Sequence, residues 1–262
     1  MLIDANVSIG HWPFRKLQYN SCDMLLERMS RFGVDRAVVG NFNGIFYKDA
    51  EAANAELFKE LQSKKKYWDK FIPFGVVNPI FNGWQDDLKR SVQKYGVKGV
   101  RMYPKYHRYD LLHPASVELV KRCRDLDLPI ALTLRIVDRR PSSWLDIDKE
   151  WALADTIPII KEVPDAKFLI LNIANGAYLN EADTEVIKKA NVLMDTSGRA
   201  LSNLGRLLDQ YGKDKFTFGT HAPILDYCTG LLRVEALREN EANDREKNLL
   251  RFENISKFLN LT

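Results

Sequence analysis

Short apolar runs rich in Val, Ile, Leu and Phe recur along the chain, separated by longer stretches whose apolar residues fall three and four apart. The runs predict strands at residues 2–6, 36–41, 71–77, 97–102, 129–135, 167–173, 191–196 and 215–220. Their starts lie about 30 residues apart, the length of a strand, a helix and the return to a parallel neighbour. GVVN, GVRM, IALTL and FLILN are almost continuously apolar, as strands buried on both faces are.

The intervening helices have legible ends. Ser21 and Asp23 precede MLLERMSRFG, where Gly33 is placed as a stop, and Asp49 precedes AEAANAELFKELQ. His113 and Pro114 open ASVELVKRCRDL, with proline in the first turn and His113 as a cap. Eight such units in an unbroken chain predict an α/β fold, a (β/α)8 TIM barrel, as one domain over residues 1–262. A charged tail from about residue 229 adds one or two C-terminal helices. The competing fold is a doubly wound open sheet, which often carries a glycine-rich phosphate turn after its first strand. The segment DANVSIGHWPF has no such turn.

Composition narrows the functional classes. At 262 residues, 45% hydrophobic and 28% charged, the chain can bury a sizeable core. Lys and Arg number 39 against 35 Asp and Glu, and the two signs are interspersed, so no nucleic-acid or membrane partner is expected. Three scattered cysteines, Cys22, Cys123 and Cys228, form no paired motif and indicate neither a disulfide framework nor a cysteine zinc site. No cationic leader precedes an apolar stretch, and no run reaches the roughly 18 apolar residues of a membrane span. The expectation is a soluble, cytoplasmic protein; exposed barrel helices would offer surfaces for a homo-oligomer.

A barrel places its site at the C-terminal ends of the strands. The residues there are polar: Asn6, Ser8 and His11; Asn41 and Asn43; Asn78; Arg101, Tyr103, Lys105 and His107; Thr133, Arg135, Asp138 and Arg139; Asn172 and Asn175; Asp195, Thr196 and Ser197; Thr220 and His221. Amide donors and fixed positive charge around one cavity suit a small anionic or oxygen-rich substrate, such as a carboxylate, lactone or sugar acid. Asparagine also suits strand ends because it tolerates turn conformations.

GVRMYPKYHRYDL is the richest segment. Arg101 and Tyr103 alternate about Met102 and can share one face. His107 is either an acid or base near neutral pH or part of a solvated basic loop pairing with Asp110. His221, in KFTFGTHAPILD, is either a general base oriented by Asp195 or Asp226, or a structural histidine satisfied by backbone. His11 either touches substrate or packs with Trp12 and Pro13. Arg139, in the DRRP run, is either an anion clamp or the partner of Asp138 in a salt bridge.

IDANVSIGHWPF, GVVNP, GVKGVRMYPKYH, FLILNIANG and FTFGTHAPILD, in this order across almost the whole chain, resemble the amidohydrolase-related family of barrel hydrolases and decarboxylases. The family's His-x-His pair after the first strand corresponds to Asn6 and Ser8. Its histidines after the fifth and sixth strands correspond to Thr133 and Asn172, and its catalytic Asp in Gly-Ser-Asp-x-Pro corresponds to His221. Every aligned ligand position therefore differs. With 4 histidines in all, none paired as HxH or HExxH, the expectation is that the family's divalent metal is disfavoured and no cofactor is used.

Two functions from different classes follow. One is hydrolysis of a small carboxylated or sugar-derived lactone, ester or amide. In it His221 activates water with His107 and Asp195 as further catalytic groups, Arg101 and Arg135 hold an anion, and Asn6 and Asn172 position the carbonyl. The other is a barrel that binds a small acid without chemistry. Decarboxylation, known in the family, is a third and weaker reading.

Overall fold

The computed structural model describes residues 1–137, 143–146, 151–173, 177–198 and 203–261. Strands β1 (Ile3–Ile9), β2 (Arg36–Asn41), β3 (Phe71–Pro73), β4 (Gly75–Val76), β5 (Val100–Met102), β6 (Ile130–Thr133), β7 (Phe168–Leu171), β8 (Val192–Asp195) and β9 (Phe216–Thr217) follow one another in space as in sequence. Every pairing is parallel. β3 and β4 are halves of one stave: Phe74, between them, donates its amide to Val39 at 2.9 Å, and Gly75 donates to Gly99 at 3.0 Å.

The last stave closes on the first. Ala5 donates to Phe218 at 2.9 Å, His221 to Asn6 at 2.9 Å and Ser8 to Ala222 at 2.8 Å. The result is the expected (β/α)8 TIM barrel, and each strand falls within two or three residues of its predicted run.

One irregularity decides what the barrel presents at its mouth. Between Asp4, opposite Ala37, and Val7, opposite Val39, β1 carries an extra residue. Such a bulge reverses which side chains face inward. Before it, Ile3 and Ala5 belong to the inner layer with Val38, Ile72, Leu169 and Leu193. Beyond it, Val7 and Ile9 pack outward with Leu25 and Met29 of the helix Cys22–Arg31. Asn6 and Ser8 are thereby turned into the barrel.

The opposite end is sealed by the tail. The helix Tyr227–Glu235 is followed by a helical run from Asp244 to Phe258, whose Ile255 and Phe258, with Leu259 just beyond it, pack against the inner layer. Asn243 and Glu246 form its capping box. The π turn Leu249–Glu253 interrupts this run, and the Leu250 carbonyl accepts from the Phe218 amide at 2.7 Å.

The local signals act as expected at Asp49, which accepts from the Glu51 amide, and at His113, whose ring accepts from Ala115. Gly33 adopts φ 67°, the left-handed turn that glycine permits, two residues after the first helix ends. Ser21 stands at the N-cap without a side-chain bond. Among the described residues no helix is long and apolar enough to cross a membrane.

Candidate functional site

The inward-facing residues at the strand ends form one hydrogen-bond chain. Arg101 is 1% exposed and donates to the Asn6 side-chain oxygen at 3.2 Å and to the carbonyls of Val7 at 3.0 Å and Val38 at 3.4 Å. A guanidinium can only donate, so the Asn6 oxygen faces it and the Asn6 NH2 faces away. That NH2 donates to Ser197 Oγ at 3.2 Å and to His221 Nδ1 at 3.1 Å. Nδ1 is therefore an acceptor and the ring proton sits on Nε2, which donates to the Ile136 carbonyl at 2.7 Å. Both ends of the chain give the same tautomer.

Ser197 passes the chain on by donating Oγ–H to Asp195 at 2.7 Å. Asp195 also accepts the amides of Asn172 at 2.7 Å and Ser197 at 3.2 Å. Asn172 adopts φ 57° and His221 φ 62°, both left-handed. For a histidine this costs on the order of 1–3 kcal/mol and persists where surrounding bonds over-determine it.

Behind this chain lies a second buried carboxylate. Asp4 accepts the Asn6 and Thr220 amides at 2.9 and 3.0 Å and the Thr220 hydroxyl at 2.5 Å. Burial pushes its carboxyl up to about 7, against the pull of those bonds and with the Asp195 charge adding to the rise. Burial also raises Asp195. The His221 ring is held down to about 4, first by burial, with the Arg101 charge acting in the same direction.

Of the residues singled out from sequence, Asn6, Arg101, Asn172, Asp195 and His221 thus converge. Ser8 is buried beside them. Asp195 bonds to Asn172 and Ser197 and not to the His221 ring; Asp226 instead pairs with Arg28 at 2.7 Å. Tyr103 and Arg135 line a neighbouring cavity of about 30 Å³ with Lys105, Thr133 and Trp151, room for water or one small polar group. There the Thr133 hydroxyl is buried without a hydrogen-bond partner, and Arg135 Nε donates to Val137 at 3.0 Å.

The remaining candidates are elsewhere. His107 sits on the short helix Pro104–His107, bonded through Nε2 to the Gly44 carbonyl oxygen at 3.0 Å, and its burial lowers its basicity. His11 is exposed, and its backbone amide bonds to Asn43 at 3.0 Å. Asn78 accepts from the Ile80 amide at 3.3 Å. Arg139, Asp138 and Asn175 lie outside the described residues. Sequence reasoning missed Asp4, whose signal was an acid in the middle of an apolar strand, and the Ile136 carbonyl, which has none.

A family model for amidohydrolases matches residues 4–261. No curated protein matched the sequence. Among solved structures, 2,6-dihydroxybenzoate decarboxylase complexed with 2,6-dihydroxybenzoate superposes with a TM-score of 0.76 at 14% identity, covering 99% of both chains. A dihydroxybenzoic acid decarboxylase from Polaromonas with bound manganese and the inhibitor 2-nitroresorcinol gives 0.74 at 12%, covering 99% of this chain and 97% of that one. A 5-carboxyvanillate decarboxylase from Novosphingobium aromaticivorans, also with bound manganese, gives 0.73 at 16%, covering 100% and 97%.

These relatives correct the expectation that no cofactor is used. Two barrels of the same architecture hold manganese, so replaced ligand positions are not grounds for a family without metal. Whether this chain's residues suit such an ion is a separate matter of donors. The Asn6 oxygen is turned to a guanidinium, both His221 nitrogens are bonded, and Asn172 Oδ1 is a buried oxygen without a partner. Among the described residues no three His, Cys, Asp or Glu side chains gather. This donor set does not fit a manganese ion held by histidines and carboxylates. Sequence match and barrel together place the chain in the amidohydrolase family.

Proposed function

We propose that the protein binds a small carboxylated or sugar-derived acid at the strand ends, with only its carboxylate in the small cavity lined by Tyr103, Thr133 and Arg135, and that His221 serves as a structural clamp. The observation that carries this reading is the His221 ring. With Nδ1 accepting from Asn6 and Nε2 donating to Ile136, neither nitrogen is left to take a proton from water. Arg101 donates through its terminal nitrogens to Asn6, Val7 and Val38, and we assign the anion to Arg135, which lines the cavity. A decarboxylase of the same fold is complexed with 2,6-dihydroxybenzoate, which supports an acidic ligand.

The test is a panel of small acids, lactones and esters, with manganese supplied because relatives hold it. Calorimetric binding and turnover are measured for the wild type, Arg135→Gln and His221→Ala. Saturable binding of acids without turnover, weakened about tenfold by Arg135→Gln, is expected. Turnover of a lactone or ester that collapses in His221→Ala would restore the hydrolase reading and remove this one.

A further inference from the structure

The strand ends of this barrel are covered. Asn6, Ser8, Arg101, Asp195 and His221 stand at the mouth, where a barrel meets its ligand, yet none is more than 2% exposed. The cavity of about 30 Å³ beside them holds one small polar group, so the rest of any ligand needs room that the covered mouth does not offer.

The cover is apolar. Trp12, Leu17, Phe42, Tyr103, Ile136 and Ile224, from the segments that follow β1, β2, β5, β6 and β9, belong to one buried cluster. The Trp12 ring stands 5.6 Å from that of Phe42, 5.3 Å from Phe46 and 6.5 Å from Tyr106, which lines the cavity.

The piece that carries Trp12 and Leu17 is built to move as a unit. Residues 10–20 form an Ω-shaped loop whose ends are joined, because the Gly10 amide donates to the Asn20 carbonyl at 2.8 Å. Gly10 adopts φ 93°, a left-handed conformation that glycine permits. Trp12 and Leu17 are buried on the underside of the loop, whereas His11, Pro13, Arg15, Lys16 and Gln18 are exposed. Among the described residues, three hydrogen bonds tie the interior of the loop to the barrel. The His11 amide donates to the Asn43 side-chain oxygen at 3.0 Å, Arg15 to the Ile224 carbonyl at 2.7 Å and the Tyr19 hydroxyl to Asp226 at 3.4 Å.

We propose that residues 10–20 are a lid, closed in this structure, which lifts on its joined ends and withdraws Trp12 and Leu17 to admit a ligand to the strand ends. What the lid admits rests on the strand-end reading above; that it opens does not. Burial of two apolar side chains favours the closed form, so the open form is a minor state that a ligand selects.

The experiment measures opening by thiol labelling of the native full chain. In a Cys228→Ser background, Leu17→Cys places a thiol under the lid, and the buried Cys123 reports unfolding of the barrel as a whole. With iodoacetamide, the introduced thiol should react about a hundredfold or more faster than Cys123. Arg15→Met, which removes one tether, should speed the introduced thiol about tenfold and leave Cys123 unchanged. Should Leu17→Cys fail to fold, hydrogen exchange of the wild type reads the same motion. The His11 amide, released when the lid lifts, should then exchange about a hundredfold or more faster than the Ser8 amide, which is held by Ala222. Equal reactivity of the two thiols, or His11 exchanging no faster than Ser8, would overturn the lid. Where a small acid binds, its association rate should level off with concentration at a plateau that Arg15→Met raises about tenfold. A rate that climbs without a plateau would overturn the lid as the gate. Acids that bind nowhere, in a protein whose lid opens, remove the strand-end reading alone.

Discussion

Asn6 donates its side-chain amide to His221 Nδ1 at 3.1 Å, and this bond fixes which nitrogen of the histidine carries the proton. It links the first stave to the last and makes the protonation of one residue a property of the whole barrel mouth. A proton added to Nδ1 would face the Asn6 N–H, and Asn6 cannot turn over without presenting its NH2 to Arg101.

The His221 ring should therefore stay neutral well below the usual histidine range. Its folded value of about 4 lies under the ordinary 6.5, so the unfolded chain binds the proton first. This contribution to stability is present above about 6.5 and is lost as pH falls from there towards 4. Nitrogen-detected NMR should report the Nε2–H tautomer of His221 unchanged from pH 8 down to about 5. A ring that titrates near 6.5 would show that the Asn6 bond does not hold it.

Asp4 acts in the opposite direction. Its carboxyl is raised from 3.8 to about 7, so between those values the folded chain keeps a proton that the unfolded chain has released. Stability from this source falls as pH rises across the window, by an amount on the order of a few kcal/mol. Asp4→Asn keeps an oxygen for the Asn6 and Thr220 amides and removes the charge. Relative to wild type, the variant should gain stability at pH 8 compared with pH 5 in urea denaturation. An identical difference at the two pH values would mean that Asp4 does not titrate between them.

The tail predicts a simpler outcome. Ile255 is fully buried against the inner layer at the closed end of the barrel. Ile255→Ala should cost about 2–5 kcal/mol through lost burial and the cavity left behind. Equilibrium unfolding measures it; a loss under about 1 kcal/mol would mean the helix is not the plug.

The barrel was legible because its signal is repetitive. Eight apolar runs such as IALT and FLIL need no partner to be recognised, and parallel pairing makes them apolar on both faces. The inward turn of Asn6 was legible only as a strand-end position. Its cause is the bulge between Asp4 and Val7, a register relation with β2 that no local pattern encodes. The site was half legible for a related reason. Polar identity at a strand end says that a group must be bonded, not to what: the sequence leaves His221 either a base oriented by Asp195 or Asp226 or a structural histidine satisfied by backbone, and its ring bonds a backbone carbonyl from the end of another strand. Arg101 was read as an anion holder, and its terminal nitrogens instead donate to three oxygens of the β1 and β2 staves.

That use of Arg101 can be tested through its neighbour Gly40. A Cβ at Gly40 would lie 2.7 Å from Arg101 Nε and 2.9 Å from its Cδ, closer than real contacts allow. Because the guanidinium is pinned on three acceptors, the side chain cannot simply swing aside, and Gly40→Ala should cost about 1–3 kcal/mol. Arg101→Met leaves the Asn6, Val7 and Val38 oxygens without this donor and should cost about 2–4 kcal/mol, partly offset by no longer burying a charge. Methionine is unpinned and adaptable, so in the double variant the alanine methyl meets a side chain that can yield. The two losses should then sum to more than the measured loss of the pair, by about 1 kcal/mol or more in a double-mutant cycle read by urea unfolding. Strict additivity would show that Gly40 is small for some reason other than the path of Arg101.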